Sequence, residues 1–246
     1  MGLFSKEVCF NCGNKVGALS RIKLKSGEFL CTDCQKLGNP FIHIAYLTRD
    51  QAEALLREAK ENEAHYQQVR FNFRKTSRMV IGKEWAFYDN FQTGEFVLET
   101  PETKNYPNHF VYQMKNVLPF EKADQFLSGV SQFNTREHAR QVYYDLITVE
   151  EKKGADGKTD SWVLRIPYNR EHMTIETKFP GSMAERDVRM MQATIQAVVG
   201  NYNTGYNLTP TKLDEIKKNA KSLGRDSAVT NTAQAIGQFF SSLGKK

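Results

Sequence analysis

The chain has 246 residues, of which 40% are hydrophobic and 25% charged, as in ordinary globular proteins and unlike disordered ones. Lys and Arg number 34 against 28 Asp and Glu, and the resulting net charge of +6 permits anionic partners without requiring them. No apolar run approaches the roughly 18 residues of a membrane span, and the first residues lack the pattern of a secretory signal. We therefore expect a cytoplasmic protein with reduced thiols.

The four cysteines form two closely spaced pairs, Cys9-x-x-Cys12 and Cys31-x-x-Cys34. Two residues between paired cysteines let a tight turn aim both sulfurs at one point, and two such turns complete a tetrahedron around Zn²⁺. Gly13 follows the first pair, where the turn favours a residue that tolerates positive φ. The sequence predicts a structural zinc ribbon over residues 1–38, with one Zn²⁺ per chain, in preference to two disulfides.

Residues 39–70 are predicted to connect this ribbon, through a helix, to a larger domain with a separate hydrophobic core. Thr48-x-x-Gln51 has the pattern of a capping box, and a helix-favouring composition continues to about Gln68. The other faces of this helix are expected to stay solvated. One narrow apolar stripe is expected to pack against the protein: Ala52, Leu55, Leu56 and Ala59.

Residues 71–200 are predicted to form a β-rich domain, which makes the fold class α+β. Short aromatic and β-branched runs predict strands near 78–81, 85–88, 95–98, 110–112, 141–148, 162–166 and 174–179. Gly154–Gly157 is predicted to join two of these strands in a hairpin, and residues 121–134 are ambiguous between helix and strand.

A helix is predicted to follow these strands, from a capping box at Ser182-x-x-Glu185 to a stop at Gly200. Its apolar face would comprise Val188, Met191, Ile195 and Val198. Several strands followed by one amphipathic helix predict a partly open antiparallel β-barrel that the helix closes.

The ribbon pattern is similar to that of bacterial and phage proteins with the domain of unknown function 4428. The likeness lies in Cys9-x-x-Cys12-Gly13, Leu24-x-x-Gly27, Cys31-x-x-Cys34 and Lys36-Leu37. It implies that the four cysteines are metal ligands and that the β-rich region resembles a pleckstrin-homology-like barrel. The family supplies no catalytic residues.

Residues 201–246 are predicted to be a basic helical segment. Thr209 and Pro210 suit the start of a helix and Gly224 suits its end. A second, weaker helix would follow within residues 226–246, where Phe239 and Phe240 could anchor a partner or a second copy of the chain. Packing of this segment on its own β domain is the alternative.

The sequence offers little support for catalysis. Zinc would occupy all four thiols, and five histidines lack metal-ligand spacing: His43, His65, His109, His138 and His172. Residues 154–159 contain too few residues between the glycines for a phosphate loop. We therefore expect a non-catalytic zinc-binding adaptor for another macromolecule, in the first place a protein.

Two alternatives stay open for the partner. The first is nucleic acid, because basic residues beside exposed aromatic rings suit binding to a single strand. An aromatic stretch from Trp85 to Phe120 follows four basic residues: Arg70, Arg74, Lys75 and Arg78. Peripheral attachment to an anionic membrane would use the two basic ends of the chain.

Overall fold

A computed structural model describes residues 6–76, 78–81, 84–126 and 136–203, which form an α+β fold. The predicted segment 204–246, including the interface within residues 226–246, lies outside the described residues. Within the described ranges no helix has the length and apolar character needed to cross a bilayer.

The N-terminal ribbon consists of two small antiparallel hairpins and one helical turn. Its elements are β1 (Glu7–Val8), β2 (Lys15–Val16), β3 (Arg21–Lys23), β4 (Phe29–Cys31) and α1 (Thr32–Gln35). Strand β1 pairs with β2, and β3 pairs with β4. Positive φ angles of 76° at Gly13 and 105° at Gly27 confirm that glycine is needed at both turns.

Helix α2 spans Arg49–Thr76 and begins at the predicted capping box. The Thr48 backbone N–H donates to Gln51 Oε1 at 2.9 Å, and the Gln51 N–H donates to Thr48 Oγ1 at 3.4 Å. The helix runs past the predicted end at Gln68. Its second half buries Tyr66 and Phe73 against the sheet that contains Tyr88 and Val97. Helix α2 therefore covers this sheet in addition to connecting it to the ribbon.

Two open antiparallel sheets follow. The first has the order β5-β6-β7-β8 and the second β9-β10-β11, and no backbone pairing joins the two among the residues that the structure describes. The strands are β5 (Arg78–Ile81), β6 (Trp85–Asn90), β7 (Glu95–Glu99), β8 (Tyr112–Gln113), β9 (Thr148–Lys153), β10 (Thr159–Pro167) and β11 (Thr174–Pro180). The hairpin predicted at Gly154–Gly157 is confirmed, since β9 pairs with β10 around it.

The fold also contains the helices α3 (Pro101–Lys104), α4 (Arg136–Leu146) and α5 (Glu185–Asn203). The strand predicted over 141–148 is wrong for residues 141–146, which belong to α4. Tyr143 and Ile147 are buried but Asp145 between them is exposed, which fits the spacing of a helix, since a strand would place all three on one face. In the ambiguous stretch, Phe120–Lys122 form a 3-10 helix and residues 123–126 are helical.

The closing helix was predicted to start at Ser182 and to stop at Gly200, but α5 starts at Glu185 and continues to Asn203. Gly200 does not end the helix because the next turn has packing partners. The Tyr202 ring meets Phe91 edge-on at 5.7 Å, and Asn203 Nδ2 donates to the Met114 carbonyl at 2.9 Å. The predicted face of Val188, Met191, Ile195 and Val198 is confirmed as buried.

One hydrophobic core runs from the ribbon into the sheets. Buried Leu24 and Leu30 of the ribbon belong to the same cluster as Leu55 of α2 and Phe96 of β7. The sequence had predicted separate cores for ribbon and β domain, and this expectation is wrong. A short ribbon has too little interior of its own, so its apolar side chains use the larger core next to it.

Strand β6 is buried on both faces, which explains its almost continuous run of apolar residues. Phe87 points into the main core, whereas Ala86 and Tyr88 join a second cluster under α2. Trp85 connects the two sheets: its ring stacks on Phe179 at 5.1 Å.

Side chains from neighbouring helices bond to the outer edges of the sheets. Asn62 Oδ1 on α2 accepts from the Val111 backbone N–H at 2.8 Å, just before β8. Gln192 Nε2 on α5 donates to the Ile147 carbonyl at 2.8 Å, just before β9. Polar groups that strand ends leave unpaired are thus satisfied within the chain.

Candidate metal centre

The first cysteine pair lies on the turn that joins β1 to β2. The Cys9 N–H donates to the Asn14 carbonyl and the Gly13 N–H donates to the Cys9 carbonyl, both at 2.9 Å. This turn holds Cys9 and Cys12 on one loop, as the spacing predicts.

The second pair lies where β4 passes into α1. Cys31 is the N-cap of α1, and its Sγ accepts from the Cys34 backbone N–H at 3.3 Å. An isolated parallel bridge between Cys9 and Phe29 places the first turn beside β4. The two pairs therefore converge although 18 residues separate them in the sequence.

The four sulfur atoms form a compact cluster in which all lie within 4.8 Å of one another. Cys12 Sγ and Cys31 Sγ are 3.8 Å apart. Four sulfurs about 2.3 Å from a central ion would be about 3.8 Å apart in an ideal tetrahedron. A disulfide would require about 2.05 Å, and all four cysteines are free. The residues present fit a tetrahedrally bound metal ion.

Hydrogen bonds to sulfur lower the pKa of Cys9, whereas burial raises the pKa of the Cys31 and Cys34 thiols. Burial alone would raise the pKa of the Cys9 thiol, but backbone N–H groups of Cys12, Cys31 and Asn11 donate to it and lower that pKa to about 6. Burial raises the pKa of the Cys34 thiol. A metal cation would offset that cost, because it stabilises the thiolate form of every ligand.

Burial of the cluster is uneven: Cys9, Cys31 and Cys34 are buried, whereas Cys12 is exposed. Four protein ligands leave no open coordination position for water or substrate. The arrangement can therefore hold a fold together, and it offers no position for chemistry at the metal.

Asn11 is a functional side chain that sequence reasoning missed. Its Nδ2 donates to Cys34 Sγ at 3.2 Å, so it connects the first turn to a ligand of the second. The available signal was its place between the cysteines of the first pair, close to the cysteine sulfurs.

Residues 7–55 match the family model described as Domain of unknown function (DUF4428). The resemblance predicted from the cysteine pattern is confirmed over these residues. The DUF4428 match contains both cysteine pairs and extends into α2 as far as Leu55. No curated protein and no solved structure matches the chain.

None of the histidines whose side chains the structure describes belongs to the cysteine cluster. Among the described residues, the cysteine cluster is the one group of three or more side chains that could hold a metal ion. His65 bonds to Glu95 at 2.7 Å and His109 to Glu63 at 2.9 Å, which ties α2 to the first sheet. The side chain of His138 lies outside the described residues.

Two of the histidines and one tyrosine form a group that we call the junction cluster, in which His43 and Tyr46 are exposed and His172 is half-buried. Tyr46 stacks on His172 with ring centroids 5.2 Å apart, and His43 meets Tyr46 edge-on at 6.1 Å. The His43 N–H donates to the His172 carbonyl at 3.2 Å, so the cluster joins the DUF4428 segment to the turn before β11. His172 adopts a φ of 56°, which is unusual for a residue other than glycine.

Proposed function

We propose that the chain is a cytoplasmic, non-catalytic zinc-binding adaptor whose partner is another protein. The metal part of this proposal rests on the donor set. Four thiolates at tetrahedral spacing suit Zn²⁺, and we assign one structural Zn²⁺ to Cys9, Cys12, Cys31 and Cys34. Elemental analysis of protein purified without chelator should give about one zinc per chain, and a value well below half would contradict the assignment.

We further propose that the β region is of pleckstrin-homology-like type. The predicted order of such a domain is a set of strands followed by one closing helix. The structure has a four-stranded and a three-stranded antiparallel sheet followed by an amphipathic helix over Glu185–Asn203, which agrees with this order. Trp85 and Phe179 support it, because their stacked rings bring the faces of the two sheets together.

The junction cluster is the observation that carries the choice of a protein partner. Tyr46 is 59% exposed, yet its stacking on His172 fixes its ring, so little side-chain freedom remains to be lost on binding. Tyrosine is among the residues that most often supply binding energy at protein interfaces. His172 holds a rarely adopted backbone conformation beside it, a feature that clusters at binding sites.

Burial counts against nucleic acid as the partner. The aromatic stretch that could have stacked on bases contributes most of its rings to the interior, with Phe120 at its end the exposed exception: Trp85, Phe87, Phe96, Phe110 and Tyr112 are all buried. Base stacking needs accessible ring faces. Of the basic residues at its start, the side chains of Arg74, Lys75 and Arg78 lie outside the described part of the chain.

A matched pair of substitutions tests the adaptor proposal. Tyr46→Ala removes the exposed ring of the junction cluster, and Phe120→Ala removes an exposed ring elsewhere. We expect one protein to co-purify with the wild type and with Phe120→Ala after nuclease treatment, and to be lost with Tyr46→Ala at unchanged melting temperature. Loss of co-purification upon nuclease treatment, or equal retention by both variants, would overturn the proposal.

A further inference from the structure

The most exposed apolar side chain that the structure describes belongs to the ribbon. Leu19 is 95% exposed and lies on the 3-10 helix Ala18–Ser20 that joins β2 to β3. Val8, 54% exposed, is paired with Lys15 across the β1–β2 hairpin. Single exposed aliphatic residues are common, so Leu19 gains significance only from what surrounds it.

The surroundings carry positive charge. The exposed charged side chains of the ribbon are five lysines and one acid: Lys6, Lys15, Lys23, Lys25 and Lys36, with Asp33. The other two acids of the ribbon are less exposed, and one of them, Glu7, lies 4.0 Å from Arg21. We call Val8, Lys15 and Leu19 the ribbon tip, because Lys15 pairs with Val8 across the β1–β2 hairpin and Leu19 lies on the 3-10 helix that follows it.

The ribbon tip lies away from the attachment of the ribbon to the rest of the chain. The Lys25 N–H donates to the Leu47 carbonyl at 3.0 Å, and Ser26 Oγ accepts from the Arg49 N–H at 2.9 Å. Both bonds are beyond the C-terminal end of β3, whereas Leu19 precedes its N-terminal end. A surface could therefore reach the tip without displacing these contacts.

We propose that the ribbon tip docks on anionic lipid headgroups and inserts Leu19 into the membrane interface. An aliphatic side chain has no ring face for base stacking and no donor for phosphate, so Leu19 would add nothing to nucleic-acid binding. In a lipid interface the same side chain leaves water and is stabilised. The lysines beside it are attracted to the negative surface potential.

The expected contributions follow from charge and burial. One lysine at an anionic surface contributes about fivefold in affinity, and burial of one leucine side chain contributes on the order of tenfold. Neither contribution alone gives stable attachment, since durable peripheral binding requires a combination of signals. The ribbon tip supplies both a positive charge and an apolar side chain.

The experiment measures co-sedimentation of the zinc-loaded full chain with vesicles. We expect binding to phosphatidylcholine vesicles that contain phosphatidylserine and little binding to phosphatidylcholine alone. Leu19→Ser should weaken binding about tenfold, and Lys15→Glu by at least about fivefold. Matched controls on α2, Lys60→Glu and Phe71→Ser, alter exposed residues of the same types away from the tip and should bind like the wild type.

Other outcomes would overturn the proposal. Equal binding to both kinds of vesicle would mean that charge is not recognised, and equal losses in the α2 controls would mean that the tip is not the contact. Lys15-dependent binding to a single-stranded oligonucleotide without vesicle binding would assign the surface to nucleic acid. Tyr46→Ala should leave vesicle binding unchanged, so the membrane and protein-partner proposals can fail separately.

Discussion

Removal of the proposed metal ligand Cys34 is expected to destabilise the sheets as well as the ribbon. Cys34→Ser leaves three thiolates, and a ribbon of this size does not fold without its metal. Its unfolding would expose Leu24 and Leu30 and uncover Leu55, which are all buried in the shared core. At about 1.5–3 kcal/mol for each side chain, the loss is about 5–9 kcal/mol, which is comparable to the whole stability of an ordinary domain.

Tryptophan fluorescence can measure this effect selectively. The chain has two tryptophans, and both Trp85 and Trp162 are buried in the sheets, away from the ribbon. In urea unfolding followed by tryptophan emission, Cys34→Ser should have a clearly lower midpoint than the metal-loaded wild type.

A chelator provides the control for this experiment. It should lower the midpoint of the wild type to that of Cys34→Ser and should not change the variant further. If Cys34→Ser loses the metal and keeps the wild-type midpoint, the ribbon and the sheets unfold independently and the reasoning from a shared core is refuted.

Two further predictions concern stability. Ile195→Asp places a charge at a fully buried position of α5 and should lower the free energy of unfolding in urea by more than about 4 kcal/mol. Arg186→Asp, at an exposed position of the same helix, should lower it by less than about 1 kcal/mol. Equal urea midpoints for the two variants would mean that α5 is peripheral. Partial burial would raise the pKa of Glu63, but N–H donors of His109 and Gln67 outweigh it and hold that pKa below its usual value. The carboxylate therefore contributes stability above its unfolded pKa of about 4.3, which is lost as pH falls through the folded pKa. Glu63→Gln should flatten this acid limb of the urea midpoint, and parallel pH profiles would contradict the assignment.

The ribbon could be predicted because its signals are local. Each cysteine pair occupies one tight turn, and Gly13 and Gly27 have the positive φ that their turns require. The start of α2 was predictable for the same reason, since Thr48 and Gln51 bond to each other within one helical turn. Spacing alone determines such features, whatever the rest of the chain does.

Features that depend on distant packing could not be predicted in this way. Residues 141–146 are rich in strand-favouring residues, but they form a helix that packs beside α5, where Gln196 Nε2 donates to the Ile147 carbonyl at 2.9 Å. Helix α5 passes Gly200 because Tyr202 and Asn203 find partners on loops far away in sequence. The shared core was missed likewise, since no local pattern shows that Leu24 and Leu30 belong to the same buried cluster as side chains of the sheets.

The bonds that helix side chains make to strand ends bear on how a partner can bind. A peptide that extended the first sheet beside Val111 would have to displace the Asn62 amide, and one that paired just before β9 would have to displace Gln192. Each displacement exchanges one hydrogen bond for another and yields little net free energy. Strand addition is therefore disfavoured at these two edges, and recognition there would rely on side-chain surfaces.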